Sequence, residues 1–198
     1  MLVAKSPIDL IGKTPIQVLS RLTGDKCAPI FAKLETETPG SSVKDRIALY
    51  MIRTAIKDGL IEPGGTVIEA TAGNTGVGLA IVCASMGFNF ICIMPEKFSM
   101  EKQKVVEFLG GQVFRTPTDL GMPGALEFAY DLESKIENSW VVNQFSNQAN
   151  PQCHYETTGP EIWEQTEGRV THIAIGAGTG GSFSGIARFL KEKNPQIK

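Results

Sequence analysis

"TVIEATAGNTGVGLAIVCASMGFNFICIMP" occupies residues 66–95. TVIEA (66–70) is short and β-branched, GVGLAIVCASMG (76–87) has helical length and is rich in alanine, and NFICIMP (89–95) is an apolar run of strand length. Apolar strands of this kind, separated by a helix, predict a βαβ unit whose parallel strands are buried on both faces.

Outward from this stretch the alternation continues. SMEKQKVVEFLG (99–110) opens on a Ser99 cap and ends on glycine, so a helix is expected there. QVFRT (112–116) reads as a strand, and a loop with Gly121, Pro123 and Gly124 leads to a helix from Ala125 to Ile136. WVVNQ (140–144) is a further strand, and HYETTGPEIWEQT (154–166) holds a helix with Pro160 suited to its first turn. THIAIGA (171–177) reads as a strand and SFSGIARFLKEK (182–193) as a helix with lysines in its last turn. Strands each followed by a helix define an α/β fold with mostly parallel open sheets flanked by helices. KTPIQVL and PIFAKLE, within the first forty residues, fall outside the alternation and read as strands of another sheet or an edge. The polar stretch SNQANPQCH (146–154) is the best linker, and a boundary is expected there.

Bulk composition removes several classes of function. The chain has 198 residues, is 42% hydrophobic and has a net charge of −2, so no basic surplus points to nucleic acid. No apolar run reaches the ~18 residues of a membrane span. MLVAKSPIDL lacks a signal peptide's apolar core. Four cysteines (Cys27, Cys83, Cys92, Cys153) and two histidines show no metal-ligand spacing, and the expectation is an intracellular protein with free thiols and no metal.

Three places carry chemistry. In TPGSSVKDRIAL (38–49), Pro39 and Gly40 break the chain, Ser41 or Ser42 can cap, and Asp45 stands three residues after Ser42, close to a capping box. Ile47, Met51 and Ala55 then recur at helical spacing, so Lys44 falls in the first turn, at the positive end of the helix dipole. It is either a surface lysine offset by Asp45 or an amine that gives up its proton easily, and neutral lysine is the nucleophile that forms Schiff bases. The second place is EATAGNTGVG (69–78), between a strand and a helix. Its Thr71, Asn74 and Thr75 donors, with backbone amides freed by Gly73 and Gly76, suit a small carboxylate, or form a tight capped turn. The third is IGAGTGGSFSG (175–185), where four glycines in six residues suit a phosphate. It fails the G-x-x-x-x-G-K-[ST] pattern but matches G-x-G-x-x-G at Gly176, Gly178 and Gly181, so a nucleotide site and a purely structural turn both stay open. One molecule with an aldehyde for the lysine and a phosphate for the glycine cluster, acting on an amino acid, would join all three, and pyridoxal 5′-phosphate (PLP) fits.

The motifs GKTPI (12–16), PGSSVKDR (39–46), EATAGNTG (69–76), NQFSNQANPQCHYETTGPEIW (143–163) and GAGTGGSFSGIARFLKEKNP (176–195) resemble, in order, signatures of the cysteine synthase (O-acetylserine sulfhydrylase) and cystathionine β-synthase family, fold type II PLP enzymes. The resemblance implies that Lys44 is the Schiff-base lysine and general base, and that Asn74 bonds the ring hydroxyl. Thr71, Ala72 (through its backbone), Asn74, Thr75 and Gln144 would hold the substrate, and Gly178, Thr179, Gly180, Gly181 and Ser182 would cradle the phosphate. The family more often has serine at Ala72 and threonine at Ser182. The implied reaction is β-replacement on O-acetylserine, serine or cysteine by sulfide or a thiol, through an aminoacrylate, giving cysteine or a thioether amino acid. A cysteine β-lyase releasing hydrogen sulfide and a non-catalytic fragment or nucleotide-binding module are the alternatives. The resemblance also implies two domains, residues 1–40 plus 146–198 in a large PLP-binding domain and 41–145 in a smaller mobile one. A cytoplasmic homodimer is expected. The family continues beyond the phosphate-loop helix with further strands and a serine for the pyridine nitrogen. The C-terminal part of the large domain is therefore expected to be missing, with a separate C-terminal fragment as a candidate partner.

Overall fold

The structure, a computed structural model, describes residues 3–22 and 27–198. A 3-10 turn (Pro7–Leu10) comes first, followed by β1 (Ile16–Val18), which pairs antiparallel with β2 (Phe31–Lys33). Helix α1 (Lys44–Lys57) follows, and Ile47, Ala48, Met51, Ile52 and Ala55 line its buried face as their spacing predicts. Next come β3 (Thr66–Ala70), α2 (Asn74–Met86), β4 (Asn89–Pro95), α3 (Met100–Phe108), β5 (Gln112–Thr116), α4 (Gly121–Glu133) and β6 (Ser139–Val141). These strands form one parallel sheet in the order β5-β4-β3-β6. Its central strands are buried throughout β3 and over six of seven residues in β4, which accounts for their lack of polar alternation. One apolar cluster packs α1, α2 and α3 on one face of the sheet, and a second packs α4 on the other.

The C-terminal part is helical. Helix α5 (Ala149–Cys153), a wide π-type turn (His154–Thr158) and α6 (Gly159–Gln165) run on without a break, and α7 (Gly181–Lys193) packs against all three. The wide turn precedes Pro160, whose ring would collide with a carbonyl in a regular α-helix. A third apolar cluster (Ile162, Ile186, Leu190, Ile197) holds α6, α7 and the chain end together.

Four local expectations change. Residues 171–177 form no strand: Ile173 N donates to Lys198 O at 2.8 Å, Lys198 N donates to Thr171 O at 3.0 Å, and no strand lies alongside among the described residues. The expected linker carries α5 instead, because Asn147 Oδ1 accepts from Ala149 N at 2.9 Å and caps the turn in which Pro151 is tolerated. Helix α4 starts at Gly121 rather than Ala125, since Pro123 lies within its first turn. Strand β6 stops at Val141 because Asn143 adopts a left-handed conformation (φ 45°).

Candidate active site

Lys44 is the first residue of α1. Its amine is half-buried and has no ion pair or hydrogen bond among the described residues. Burial lowers its pKa, and the helix dipole acts in the same direction. The capping box does not form. Asp45 Oδ2 accepts from Gly40 N at 2.6 Å, Ser42 Oγ accepts from Lys44 N at 3.3 Å, and Val43 stands at the cap position. Burial raises the pKa of Asp45, whose Oδ1 is buried without a partner.

Arg46 was not singled out by its sequence. It is buried and donates to Glu35 Oε2 (2.7 Å), Glu161 Oε1 (2.7 Å) and Thr14 Oγ1 (3.0 Å). Lys33 Nζ donates to Glu161 Oε2 at 2.6 Å. This hub ties the N-terminal hairpin and α6 to the start of α1, two residues from Lys44. No periodicity links partners 11 and 115 residues away, so no sequence signal could have found it.

The turn from Thr71 to Gly76 lies between the end of β3 and the start of α2. Thr71 and Thr75 are buried, Ala72 and Gly73 half-buried, and Asn74 exposed. Thr75 Oγ1 donates to Gln144 Oε1 at 2.7 Å, which brings Gln144 from beyond β6 to this turn. Beneath them lies Glu69, fully buried: its Oε1 accepts from Gln144 N at 3.4 Å, its Oε2 has no partner, and burial pushes its pKa up to about 8. Gly78 brings Lys44 near. A Cβ there would sit 3.1 Å from Lys44 O and 3.2 Å from Asp45 N, so glycine lets α2 slide against the start of α1.

The second glycine turn, residues 176–181, opens α7. Gly180 caps the helix in a left-handed conformation (φ 82°), and Gly181 N donates to Thr179 Oγ1 at 3.4 Å. Asn150 of α5, which the sequence did not mark out, joins the two turns. It is 2% exposed, and its Nδ2 donates to Gln144 O (2.9 Å) and to Thr179 Oγ1 (3.0 Å). A cavity of about 420 Å³ opens beside this contact, with Gln144, Asn150, Thr179, Gly180 and Gly181 in its wall.

The chemistry of these features matches PLP. Beta carbons at Gly73, Gly176, Gly178 and Gly180 would meet nothing within 4 Å, so both turns present open backbone. Backbone amides at the head of a 13-residue helix suit a phosphate. An unpaired, half-buried amine suits an aldehyde. The residues present fit the group.

An open parallel α/β fold with an unpaired lysine at a helix head and two glycine turns defines a class of aldehyde-cofactor enzymes. The family described as "Pyridoxal-phosphate dependent enzyme" matches residues 8–198. The chain is 47% identical over 190 residues to the O-acetylserine dependent cystathionine beta-synthase of Bacillus subtilis (strain 168), covering 96% of this chain and 62% of that protein. It is 43% identical over 194 residues to a cysteine synthase of a Flavobacterium species, covering 98% and 63%. Among solved structures, a hydrogen sulfide-producing enzyme from Fusobacterium nucleatum superposes with a TM-score of 0.93 at 44% identity, over 99% of this chain and 65% of that one. The chain belongs to the pyridoxal-phosphate dependent enzyme family, in its cysteine synthase and cystathionine β-synthase branch. It spans a little over three fifths of the length of these relatives.

Proposed function

We propose that the protein carries out PLP-dependent β-replacement on an amino acid such as O-acetylserine, serine or cysteine, with sulfide or a thiol as the incoming group. The observation that carries the reading is the half-buried amine of Lys44, unpaired among the described residues, at the head of a helix whose backbone packs closely against Gly78 of α2. PLP supplies an aldehyde that condenses with amines and a ring that takes up electrons released at the substrate's Cα.

The chain's own residues do the rest. Thr71, the Ala72 backbone, Thr75 and Gln144 hold the substrate's carboxylate, and with Asn74 beside them the turn orients its Cα–H bond, where fixed geometry helps most. Asn74 also bonds the cofactor's ring hydroxyl. Lys44 Nζ, whose pKa is lowered by burial and by the helix head, accepts the Cα proton. Residues Gly178, Thr179, Gly180, Gly181 and Ser182 hold the phosphate.

The test is product analysis with the full-length protein. O-acetylserine with sulfide should yield cysteine, and with a thiol a thioether amino acid. Lys44→Ala should abolish both products and the visible absorbance band of bound PLP. Borohydride should leave its added mass on the Lys44 peptide, and mass elsewhere would overturn the reading. The likeness to the hydrogen sulfide-producing enzyme supports a second direction, sulfide release from cysteine, which sulfide capture from cysteine alone distinguishes. We extend the reading to a cytoplasmic homodimer with a mobile unit over residues 41–145. The separate apolar cluster around α6 and α7 supports the division, and sedimentation and substrate-dependent scattering test it.

A further inference from the structure

We propose that Asn150 is a positioning residue that mechanically couples the phosphate turn to the turn that holds the amino acid. The inference rests on the reading of those two turns given above. Asn150 touches neither ligand in that reading, yet one buried carboxamide nitrogen serves both sides. It donates to Gln144 O at 2.9 Å and to Thr179 Oγ1 at 3.0 Å. Gln144 is in turn bonded through its side chain to Thr75 at 2.7 Å. Three hydrogen bonds therefore make a continuous path from Thr75 to Thr179.

The carboxamide is also wedged sterically. A Cβ on Gly181 would overlap Asn150 Oδ1 and crowd the rest of its carboxamide. The head of α7 thus sits directly on the Asn150 side chain, and the absence of a side chain at Gly181 is what allows it. On the other side, Ala149 and Cys153 anchor α5 in the apolar cluster beneath α1. Asn150 is a short, stiff strut on a packed helix, and a displacement at one turn is carried to the other rather than absorbed.

The test uses the full-length protein. The apoprotein is titrated with PLP and with pyridoxine 5′-phosphate, which carries the phosphate but has no aldehyde. Asn150→Ala should weaken binding of both about tenfold to hundredfold, the usual effect of removing a buried donor from two acceptors. It should also raise KM for the amino acid more than it lowers kcat. Thr179→Val, which removes the hydroxyl that accepts from Asn150, should raise the amino-acid KM although it lies on the phosphate side. In the Asn150→Ala background that effect should vanish, giving a non-additive cycle. A merely structural asparagine would lower the melting temperature and leave these constants and the cycle additive, which overturns the coupling. Should wild-type apoprotein take up neither compound, the reading of the turns fails and the coupling falls with it. Uptake by wild type with unchanged variants removes the coupling alone.

Discussion

Arg46→Met removes a guanidinium that holds two carboxylates at the start of α1. Its side chain is 2% exposed, and its partners Glu35 and Glu161 are 18% and 17% exposed. Methionine fills similar volume, so the loss is mainly electrostatic. Glu161 keeps Lys33, but Glu35 keeps only the Thr14 hydroxyl. Breaking a buried pair from one side costs about 3–5 kcal/mol. An upper bound on the Glu161 side comes from its pKa, which burial would raise but which falls from its ordinary 4.5 to about 2 through hydrogen bonds from Arg46 and Lys33 together. At 1.36 kcal/mol per unit that is about 3 kcal/mol, trimmed to about 2 because solvent reaches part of the carboxylate. For a chain of this size a loss of about 3–5 kcal/mol lowers the melting temperature by roughly 6–20 °C. The sign with pH follows from the lowered pKa. The stabilisation is complete above pH 4.5 and is lost as pH falls toward 2, so the difference between wild type and variant should shrink over that window. Thermal melts by circular dichroism from pH 2 to 8 measure it. A variant within 1 °C of wild type at pH 7, or one that keeps the wild-type acid slope below pH 4.5, would refute the hub. Restoring stability by Glu35→Gln in the Arg46→Met background would support it.

Glu69, with its pKa pushed up to about 8, costs up to about 5 kcal/mol as pH rises from 4.5 to 8, so Glu69→Gln should flatten that slope and melt higher than wild type at pH 8.5. His154, buried with Nδ1 bonded to Thr158 Oγ1 at 2.9 Å and its pKa pushed down to about 4 by burial and by Arg46 and Lys44, opposes folding as pH falls from 6.5. Its replacement by glutamine should remove up to about 3 kcal/mol of acid sensitivity between pH 6.5 and 4, read by urea melts. A Cβ on Gly185 would overlap Pro151 O and lie 2.8 Å from His154 Cβ, so Gly185→Ala should force α7 off α5 and cost about 1–3 kcal/mol; an unchanged melting temperature would contradict the packing.

The sheet was legible because its central strands are buried on both faces, and burial of that kind leaves an unbroken apolar run such as NFICIMP. The two glycine turns were legible because glycines clustered ahead of a helix are costly unless backbone must be exposed. Residues 171–177 misled for a matching reason: an apolar stretch announces that it wants a strand beside it, while pairing depends on whether such a strand is present. Proline misled in the helices. Pro123 and Pro151 look like breakers, yet each falls in a first turn where its missing N–H costs nothing. Asn150 and Arg46 were invisible because a side chain's partner across the fold leaves no trace in spacing, and the local sequence offers only an asparagine before proline and an arginine after aspartate.

Lys44, Asp45 and Arg46 show how much depends on one helix start. Successive helical residues are turned by about 100°, so three adjacent charges meet three different surroundings. Arg46 is saturated by the hairpin and α6, Asp45 is fixed by the Gly40 amide, and Lys44 has no counter-ion within 4.0 Å among the described residues. A helix head that contained only Lys44 could swing its amine to any nearby carboxylate, which would hold it protonated and unreactive. Besides Asp45, Glu35 and Glu161 meet this helix head, and Arg46 already occupies both. The hub therefore keeps Glu35 and Glu161 engaged with Arg46, and Lys44 is left without a counter-ion among the described residues. The same logic ties stability to chemistry, because releasing Glu35 or Glu161 from Arg46 would both loosen the helix start and offer Lys44 a partner. In Arg46→Met, bound PLP should consequently react more slowly with added amine at neutral pH, and the extra Glu35→Gln change should restore the rate along with the melting temperature.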